Sequence, residues 1–240
     1  MKIFLDTCNV ESVRNAADTG LISGVTTNPT LAQKAGRADY RKMLAQMCDI
    51  IGLESVSAQV KEDQTAENMF LEGIELESIC RGKIAVKLPM NPHGLTAAKL
   101  LRRKKGINTN ITLVFRPSQA LLAMNAGADF VSYFMGRQEA KLKEKWGEDQ
   151  KAPSGTKSYA ESQIQRDLER MVNYKERYRF GSQILAASIR NVEHVELAAD
   201  CGVDAVSVPP TVFWEMFSDN LGLTEDGIKR FLKDREFLTG

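Results

Sequence analysis

The sequence predicts a closed (β/α)₈ barrel, in which parallel strands alternate with helices. Short runs rich in β-branched and apolar residues recur eight times, and most are separated by stretches with helical periodicity. Strands that alternate with helices pair in parallel through right-handed crossovers. The chain has 240 residues, close to the roughly 250 that are typical of such a barrel. We therefore expect one domain over residues 1–240.

The predicted strands and helix ends follow one another in a regular order. Gly127 and Gly202 stand where a helix has to end before the next strand begins. A doubly wound open sheet is the alternative fold, but the turn after the first strand lacks the glycine fingerprint typical of that fold. The predicted strands are Ile3–Thr7, Gly24–Asn28, Val56–Val60, Ile84–Pro89, Thr109–Phe115, Phe130–Met135, Gln183–Ile189 and Ala205–Val208.

The composition argues against several functional classes. There are 32 basic and 31 acidic residues, so no overall field attracts nucleic acid or an anionic membrane. No apolar run is long enough for a signal peptide or a membrane span. Four cysteines without a CxxC pair predict reduced thiols in a cytoplasmic protein. The two histidines stand in no ligand cluster, so we expect no metal site.

A charged stretch over residues 139–162 interrupts the alternation after the sixth predicted strand. It makes the distance to the next strand roughly twice the usual one. Two interpretations are open. The stretch is either a solvated extension or a lid, because a βα loop opens on the catalytic face of a barrel.

Lys87 is the leading candidate nucleophile. In the predicted strand Ile84–Pro89, Lys87 shares one side with Ala85 and the other side is wholly apolar. The apolar side of a barrel strand packs outward against the helices, so Lys87 should point inward near the carboxyl end. Nucleophilic attack needs the neutral amine, which burial favours over the ammonium. The alternative is a lysine at the rim, paired with a carboxylate.

Asp6 and Asn28 each lie near the end of a predicted strand. A carboxylate at the end of an apolar strand is costly unless it is paired or used. Asp6 is therefore either an acid/base group, able to exchange protons with a carbinolamine, or the cap of the following helix. Pro29 keeps Asn28 in an extended conformation, which by itself is a weak turn signal.

A phosphate site is predicted from three side chains near the last strands. Ser188 and Arg190 flank Ile189 and would share a face, and Arg137 follows the sixth strand. A guanidinium matches phosphate bidentately, and barrel enzymes often bind phosphate near these strands. Each arginine alone could equally be a surface residue.

Six motifs follow one another along the chain: Phe4–Thr7, Gly24–Pro29, Ala85–Met90, Asn108–Leu113, Gly136–Arg137 and Ile184–Arg190. In this order they resemble the transaldolase family, particularly its short members and the related fructose-6-phosphate aldolases. The resemblance covers nearly the whole chain apart from the charged stretch. It implies a barrel of the class I aldolase type that uses no metal and no organic cofactor.

The resemblance also implies a role for each matching position. Lys87 matches the Schiff-base lysine, and Asp6 matches the acid/base carboxylate. Thr112 matches the threonine that holds a catalytic water, and Gln59 lies at the position beside that water. The remaining matches are substrate ligands at Asn28, Asn110, Ser132 and Phe134, and phosphate ligands at Arg137, Ser188 and Arg190.

Two positions depart from a single family pattern. Gln59 stands where transaldolases usually carry a glutamate, as in the aldolases, whereas Phe134 is the transaldolase residue where the aldolases carry a tyrosine. Tyr133 is adjacent, but alternation turns it to the other face of the strand. Phenylalanine keeps the pocket drier, and glutamine cannot serve as a base. We therefore favour transfer of a dihydroxyacetone unit between sugar phosphates over its release by hydrolysis.

Two other classes of function are left open by the residues. One is a barrel that isomerises a sugar phosphate through a carboxylate base, and the other is a non-catalytic barrel that binds sugar phosphate.

Residues 222–240 are predicted to include a C-terminal helix with an apolar stripe at Ile228, Phe231 and Leu232. By resemblance this helix packs on a neighbouring subunit, which implies a homo-oligomer, a pentamer or a decamer.

Overall fold

The strand prediction is confirmed by the computed structural model, which describes residues 1–36, 39–61, 65–147 and 158–235. Eight parallel strands pair in sequence order, and the last pairs with the first to close the barrel. The strands are β1 Lys2–Asp6, β2 Gly24–Thr26, β3 Ser55–Gln59, β4 Ile84–Pro89, β5 Thr109–Val114, β6 Phe130–Phe134, β7 Gln183–Ala187 and β8 Ala205–Val208.

Six of the strands end earlier than predicted, four of them by one residue, and two end earlier by two residues for local reasons. β2 ends at Thr26 because the side chain of Asn28 caps the next helix, its Oδ1 accepting from the Leu31 N–H at 2.9 Å. β7 ends at Ala187 because Ser188 has a φ of 60°. Strand alternation does not apply to a residue in that conformation. Ser188 and Arg190 therefore do not share one face of a strand, and that prediction is wrong.

The helices between the strands mostly begin at a polar capping residue. Side chains of Asn, Asp, Ser or Thr accept a hydrogen bond from the first turn of seven of them. As predicted, Gly127 ends a helix, with a φ of 83°. The helices are α1 Val10–Ala17, α2 Pro29–Lys34, α3 Tyr40–Cys48, α4 Ala66–Glu77, α5 Pro92–Lys105, α6 Pro117–Ala126, α7 Met135–Trp146, α8 Tyr159–Arg177, α9 Val192–Asp200, α10 Pro210–Glu215 and α11 Leu223–Arg235.

The charged stretch at residues 139–162 is helical at both described ends. Residues 139–146 belong to α7, and residues 159–162 form the first turn of α8. The long spacing between β6 and β7 thus contains two helices, which pack on each other. Residues 148–157 are the part of the stretch that would distinguish a lid from a solvated extension. They lie outside the described residues.

The strands separate an outer core from a small inner one. On β4, Ile84, Val86 and Leu88 face the helices, whereas Ala85 belongs to the cluster inside the barrel. In that inner cluster the rings of Phe4 and Phe130 meet edge to face, with centroids 5.5 Å apart. The polar side chains described below occupy the barrel toward the carboxyl ends of the strands.

The C-terminal helix α11 lies on the outside of the described barrel and has no buried residue. Its apolar stripe is present as predicted, with Ile228, Phe231 and Leu232 between 52% and 73% exposed. Residues 236–240 of the predicted segment lie outside the described residues. Within the described ranges, no helix combines the length and apolar character needed to cross a bilayer.

Candidate active site

A pocket of about 350 Å³ opens at the carboxyl ends of the strands. This is the end where (β/α)₈ barrels place their active sites. The pocket brings together seven of the predicted site residues: Asp6, Asn28, Gln59, Lys87, Thr112, Phe134 and Arg137. Pro29, Thr30, Leu31 and Leu113 complete the lining.

Lys87 projects from β4 into the base of this pocket. Its side chain is buried, the residue being only 4% exposed, and it is the one lysine among the described buried residues. The amine Nζ donates a hydrogen bond to the carbonyl oxygen of Thr27 at 3.2 Å. The inward direction predicted from strand alternation is therefore confirmed, and the amine is shielded from bulk water while it faces the pocket.

Asp6 is the acidic residue that lines the same pocket as this amine. Burial raises the pKa of its carboxyl group, and the opposing effects of the Lys87 charge and of the Thr26 hydroxyl do not cancel that rise. Thr26 Oγ1 donates to Asp6 Oδ1 at 2.6 Å and lies 2.5 Å from Ser207 Oγ, which can donate to it in turn. A carboxyl group with a raised pKa, held in one orientation, can both accept and return a proton.

Gln59 and Thr112 line the pocket on either side of Lys87. Their strands are the two that pair with β4, and Gln59 is in register with Lys87. Thr112 is 1% exposed, and its Oγ1 has no hydrogen-bond partner within the described ranges. The register of β5 shifts between Ile111 and Val114, and Leu113 adopts a φ of 64°. This bulge turns Leu113 into the pocket beside the hydroxyl of Thr112.

Asn110 and Ser132 lie inside the barrel but outside the pocket lining. Ser132 Oγ donates to Asn110 Oδ1 at 2.7 Å, and Asn110 Nδ2 donates to Ser57 Oγ at 3.1 Å. Asn110 is also the register partner of Lys87 on the neighbouring strand. The three polar side chains therefore form a linear chain of hydrogen bonds beside the lysine.

The predicted phosphate residues are arranged around a glycine. Arg137 lines the pocket, and its guanidinium lies 5.2 Å from the centre of the Phe134 ring. Ser188 and Arg190 do not line the pocket, but both lie against Gly136. A Cβ atom at Gly136 would come within 2.1 Å of the Ser188 carbonyl oxygen and 3.1 Å of Arg190 Cγ. The glycine thus lets the start of α7, which carries Arg137, approach the end of β7.

Tyr133 points away from the pocket, as alternation predicted. It is fully buried against the helices, where its hydroxyl donates to Asp167 Oδ2 at 3.2 Å. Gln138 Nε2 and Gln163 Nε2 each donate to the same carboxylate at 3.0 Å. Because Tyr133 is used in this outer network, the aromatic ring that faces the pocket from β6 is that of Phe134.

Several residues near the site were missed by sequence reasoning. Thr26, Ser57 and Ser207 lie at inward positions of their strands, and their parity could have indicated them. Tyr40 lies at the start of α3, and no feature of the sequence connects it to Gln59 or Thr27, which its hydroxyl contacts. Among the described residues, no group of three or more His, Cys, Asp or Glu side chains is arranged to hold a metal ion.

The protein is a (β/α)₈ barrel with a polar pocket, built around a buried lysine and a partly buried carboxyl group, at the carboxyl ends of its strands. A family model described as Transaldolase/Fructose-6-phosphate aldolase matches residues 3–239. The chain belongs to this family of enzymes.

Curated relatives agree with this assignment. A probable transaldolase of Streptococcus agalactiae serotype V is 39% identical over 234 residues, covering 98% of this chain and 97% of its own. A probable transaldolase of Exiguobacterium sibiricum is 40% identical over 236 residues, covering 98% of both chains. Among solved structures, a 2,3-dimethylmalate lyase of the PEP mutase/isocitrate lyase superfamily aligns with a TM-score of 0.56. It covers 98% of this chain and 83% of its own at 12% identity, which shows the fold alone.

Proposed function

We propose that the chain is a transaldolase that moves a dihydroxyacetone unit from a ketose phosphate to an aldose phosphate through an imine on Lys87. The donor would be fructose 6-phosphate or sedoheptulose 7-phosphate. The observation that carries the proposal is a buried lysine amine that faces a polar pocket together with Asp6. Burial favours a neutral, nucleophilic amine over an ammonium ion.

The proposed reaction balances without a metal or an organic cofactor. The Lys87 amine adds to C2 of the ketose, and the carbinolamine loses water to give an imine. Removal of the O4 proton breaks the C3–C4 bond, the electron pair moves into the imine to form an enamine, and an aldehyde leaves. The enamine then attacks the acceptor aldehyde, and water finally releases the new ketose from the lysine.

Each of the predicted site residues is suited to one part of this reaction. Asp6, whose pKa is raised by burial, would transfer protons to and from the carbinolamine and O4. Thr112 Oγ1, buried at the pocket wall, would hold the water that is lost and regained. Asn28, Asn110 and Ser132 would bind donor hydroxyls, and Gln59 would orient the water as a hydrogen-bonding group but not as a base.

The phosphate group would bind at the exposed side of the pocket. Arg137 lines the pocket. Ser188 and Arg190 lie next to the start of α7, the helix that carries Arg137, because both contact Gly136. Two guanidinium groups and a hydroxyl are a suitable set of ligands for a dianion.

Hydrolytic release of dihydroxyacetone, the fructose-6-phosphate aldolase reaction, is the second candidate. Gln59 favours it by resemblance. Phe134 argues against it, because the pocket-facing ring of β6 lacks the hydroxyl that would help to place a hydrolytic water, and Tyr133 is engaged with Asp167. We therefore favour transfer.

Product analysis on fructose 6-phosphate, with and without erythrose 4-phosphate, tests the proposal. Transfer predicts sedoheptulose 7-phosphate and glyceraldehyde 3-phosphate in equal amounts, and only when the acceptor is present. Free dihydroxyacetone as the main product would instead establish the aldolase. Aldose 6-phosphate without carbon–carbon cleavage would indicate an isomerase, and binding without any turnover would indicate a non-catalytic barrel.

We also propose a cytoplasmic homo-oligomer, a pentamer or a decamer, that acts in the pentose phosphate pathway. Support comes from α10, α11 and the segment between them, where seven large apolar residues are 46–77% exposed: Trp214, Phe217, Leu221, Leu223, Ile228, Phe231 and Leu232. Burying such residues on a neighbouring subunit would remove them from water. Light scattering tests this, and a monomer would refute it.

A further inference from the structure

We propose that Tyr40 is a positioning residue for Lys87. Its hydroxyl accepts the Gln59 N–H in place of the Thr27 carbonyl and so leaves that carbonyl for the Lys87 amine. The inference rests on the proposed function of Lys87. Tyr40 is the first residue of α3, outside the pocket lining, and it reaches the site through a chain of hydrogen bonds.

The register pairs of β2 and β3 end at Thr26 and Ser57. Thr27 follows the last residue of β2, and its N–H donates to the Ser57 carbonyl at 3.2 Å. In a continuing parallel ladder, the next N–H on β3, that of Gln59, would donate to the Thr27 carbonyl. Instead the Gln59 N–H donates to Tyr40 Oη at 3.1 Å, and the Thr27 carbonyl accepts from Lys87 Nζ at 3.2 Å.

The protons of this network can be assigned one by one. Thr27 Oγ1 donates to the Ser57 carbonyl at 2.7 Å, so its own proton is already used. Tyr40 Oη, 2.6 Å away, must therefore donate to Thr27 Oγ1 while it accepts from the Gln59 N–H. The hydroxyl thus holds Thr27 and Gln59 at once.

The tyrosine is itself held in place by its helix. Asp39 caps α3, its Oδ1 accepting from the Lys42 N–H at 2.9 Å, and Met43, Leu44 and Met47 bury the inner side of the helix. Burial raises the pKa of Tyr40 to about 12, so the hydroxyl keeps the proton that it donates. A rigid helix and a permanently protonated phenol suit a positioning role.

Loss of this hydroxyl should change catalysis more than binding. In Tyr40→Phe, the Gln59 N–H would turn to the Thr27 carbonyl and compete there with the Lys87 amine. We expect kcat and the rate of borohydride trapping at Lys87 each to fall about tenfold, the effect of one lost hydrogen bond. KM for fructose 6-phosphate should change less, because the substrate contacts remain.

The matched control is Tyr174→Phe on α8, which removes the hydroxyl of a half-buried tyrosine that accepts an exposed hydrogen bond from Arg170 at 2.9 Å. It should leave kcat and trapping unchanged. Thr27→Val removes the next member of the network and should reproduce the loss, and the double variant with Tyr40→Phe should be no worse than either single variant. This pair keeps the test decisive if one variant folds poorly, as followed by thermal unfolding.

The outcomes separate this inference from the proposed function. If the wild-type protein is trapped at Lys87 and Tyr40→Phe is trapped equally fast, the role of Tyr40 is refuted and the function stands. Additive losses in the double variant would also refute it. If the wild-type protein is not trapped at Lys87, both proposals fail.

Discussion

The two ends of the pocket are built in different ways. At the amine end, Lys87 and Thr112 are 4% and 1% exposed and belong to strands. At the anion end, the exposed Arg137 lines the pocket from the first turn of α7. The exposed Arg190 lies after β7, against Gly136 and outside the lining. The groups proposed for chemistry are thus fixed by the barrel. The arginines proposed to bind phosphate are instead held by a contact with the Phe134 ring and by a contact with Gly136.

This difference leads to a division of kinetic effects. Buried groups on strands are restrained by packing, so their loss should reduce the rate of the chemical step. Exposed arginines contribute to binding in the ground state and transition state alike, so their loss should mainly raise KM. Substitutions at the two ends test this division.

Lys87→Met should have the largest effect, because it keeps a chain of similar length and removes the nucleophile. We expect turnover to fall by about 10⁴-fold or more, as for other lost nucleophiles. Steady-state assays with fructose 6-phosphate and erythrose 4-phosphate measure this. Lys83→Met is the control. Lys83 does not line the pocket, and its amine donates a hydrogen bond of 2.8 Å to the Cys48 carbonyl, so it should be dispensable for turnover.

Asp6→Asn should have the next largest effect, a fall in kcat of about 10²- to 10⁴-fold from the loss of acid–base catalysis. Asp129→Asn is the matched control: burial raises the pKa of Asp129 too, but this residue precedes β6 at the opposite end of the barrel. Its loss should lower stability and leave kcat intact. Equal falls in kcat for the two variants would contradict a catalytic role for Asp6.

Arg137→Ala should raise KM for fructose 6-phosphate by roughly ten- to a hundredfold, which corresponds to the loss of one charge-assisted hydrogen-bonded contact. kcat should change much less. Saturation kinetics on the phosphorylated substrate measure both values. A fall in kcat at constant KM would place Arg137 with the amine end and remove the distinction between the two ends.

Glu139→Gln should have the smallest effect, on stability. His194 and Lys143 contact Glu139 at 3.0 Å and hold the pKa of its carboxyl group well below the ordinary 4.5, at about 2. A lowered pKa means that the ionised group stabilises the fold above pH 4.5 and that this contribution is lost as the pH falls toward 2.

Urea unfolding at several pH values measures this contribution. The wild-type protein should be more stable than Glu139→Gln by roughly 1–2 kcal/mol near neutral pH, with solvent screening allowed for, and the difference should vanish in acid. Glu144→Gln is the control, because Glu144 pairs with Lys141 in an exposed position. A difference for Glu139→Gln that persisted in acid would contradict the ion-pair explanation.

The sequence predicted the amine end of the pocket better than the anion end. Alternation along β4 was enough to direct Lys87 inward, and a short buried strand leaves few other arrangements. At the end of β7 the same rule failed, because Ser188 takes a left-handed backbone conformation that no local pattern indicated.

Contacts between distant residues also escaped prediction. Thr26 meets Ser207 across the closure of the barrel, and Tyr40 meets Gln59 from a helix. Such contacts depend on strand register and helix placement, which periodicity does not encode. The residues that orient the site were therefore harder to predict than those proposed to react.

Borohydride reduction in the presence of fructose 6-phosphate, followed by peptide mass analysis, tests whether Lys87 forms the imine. We expect irreversible inactivation and the added mass of a reduced three-carbon or six-carbon adduct on the peptide that contains Lys87, with no adduct in Lys87→Met. An active protein without an adduct at Lys87, or with the adduct on another lysine, would contradict it.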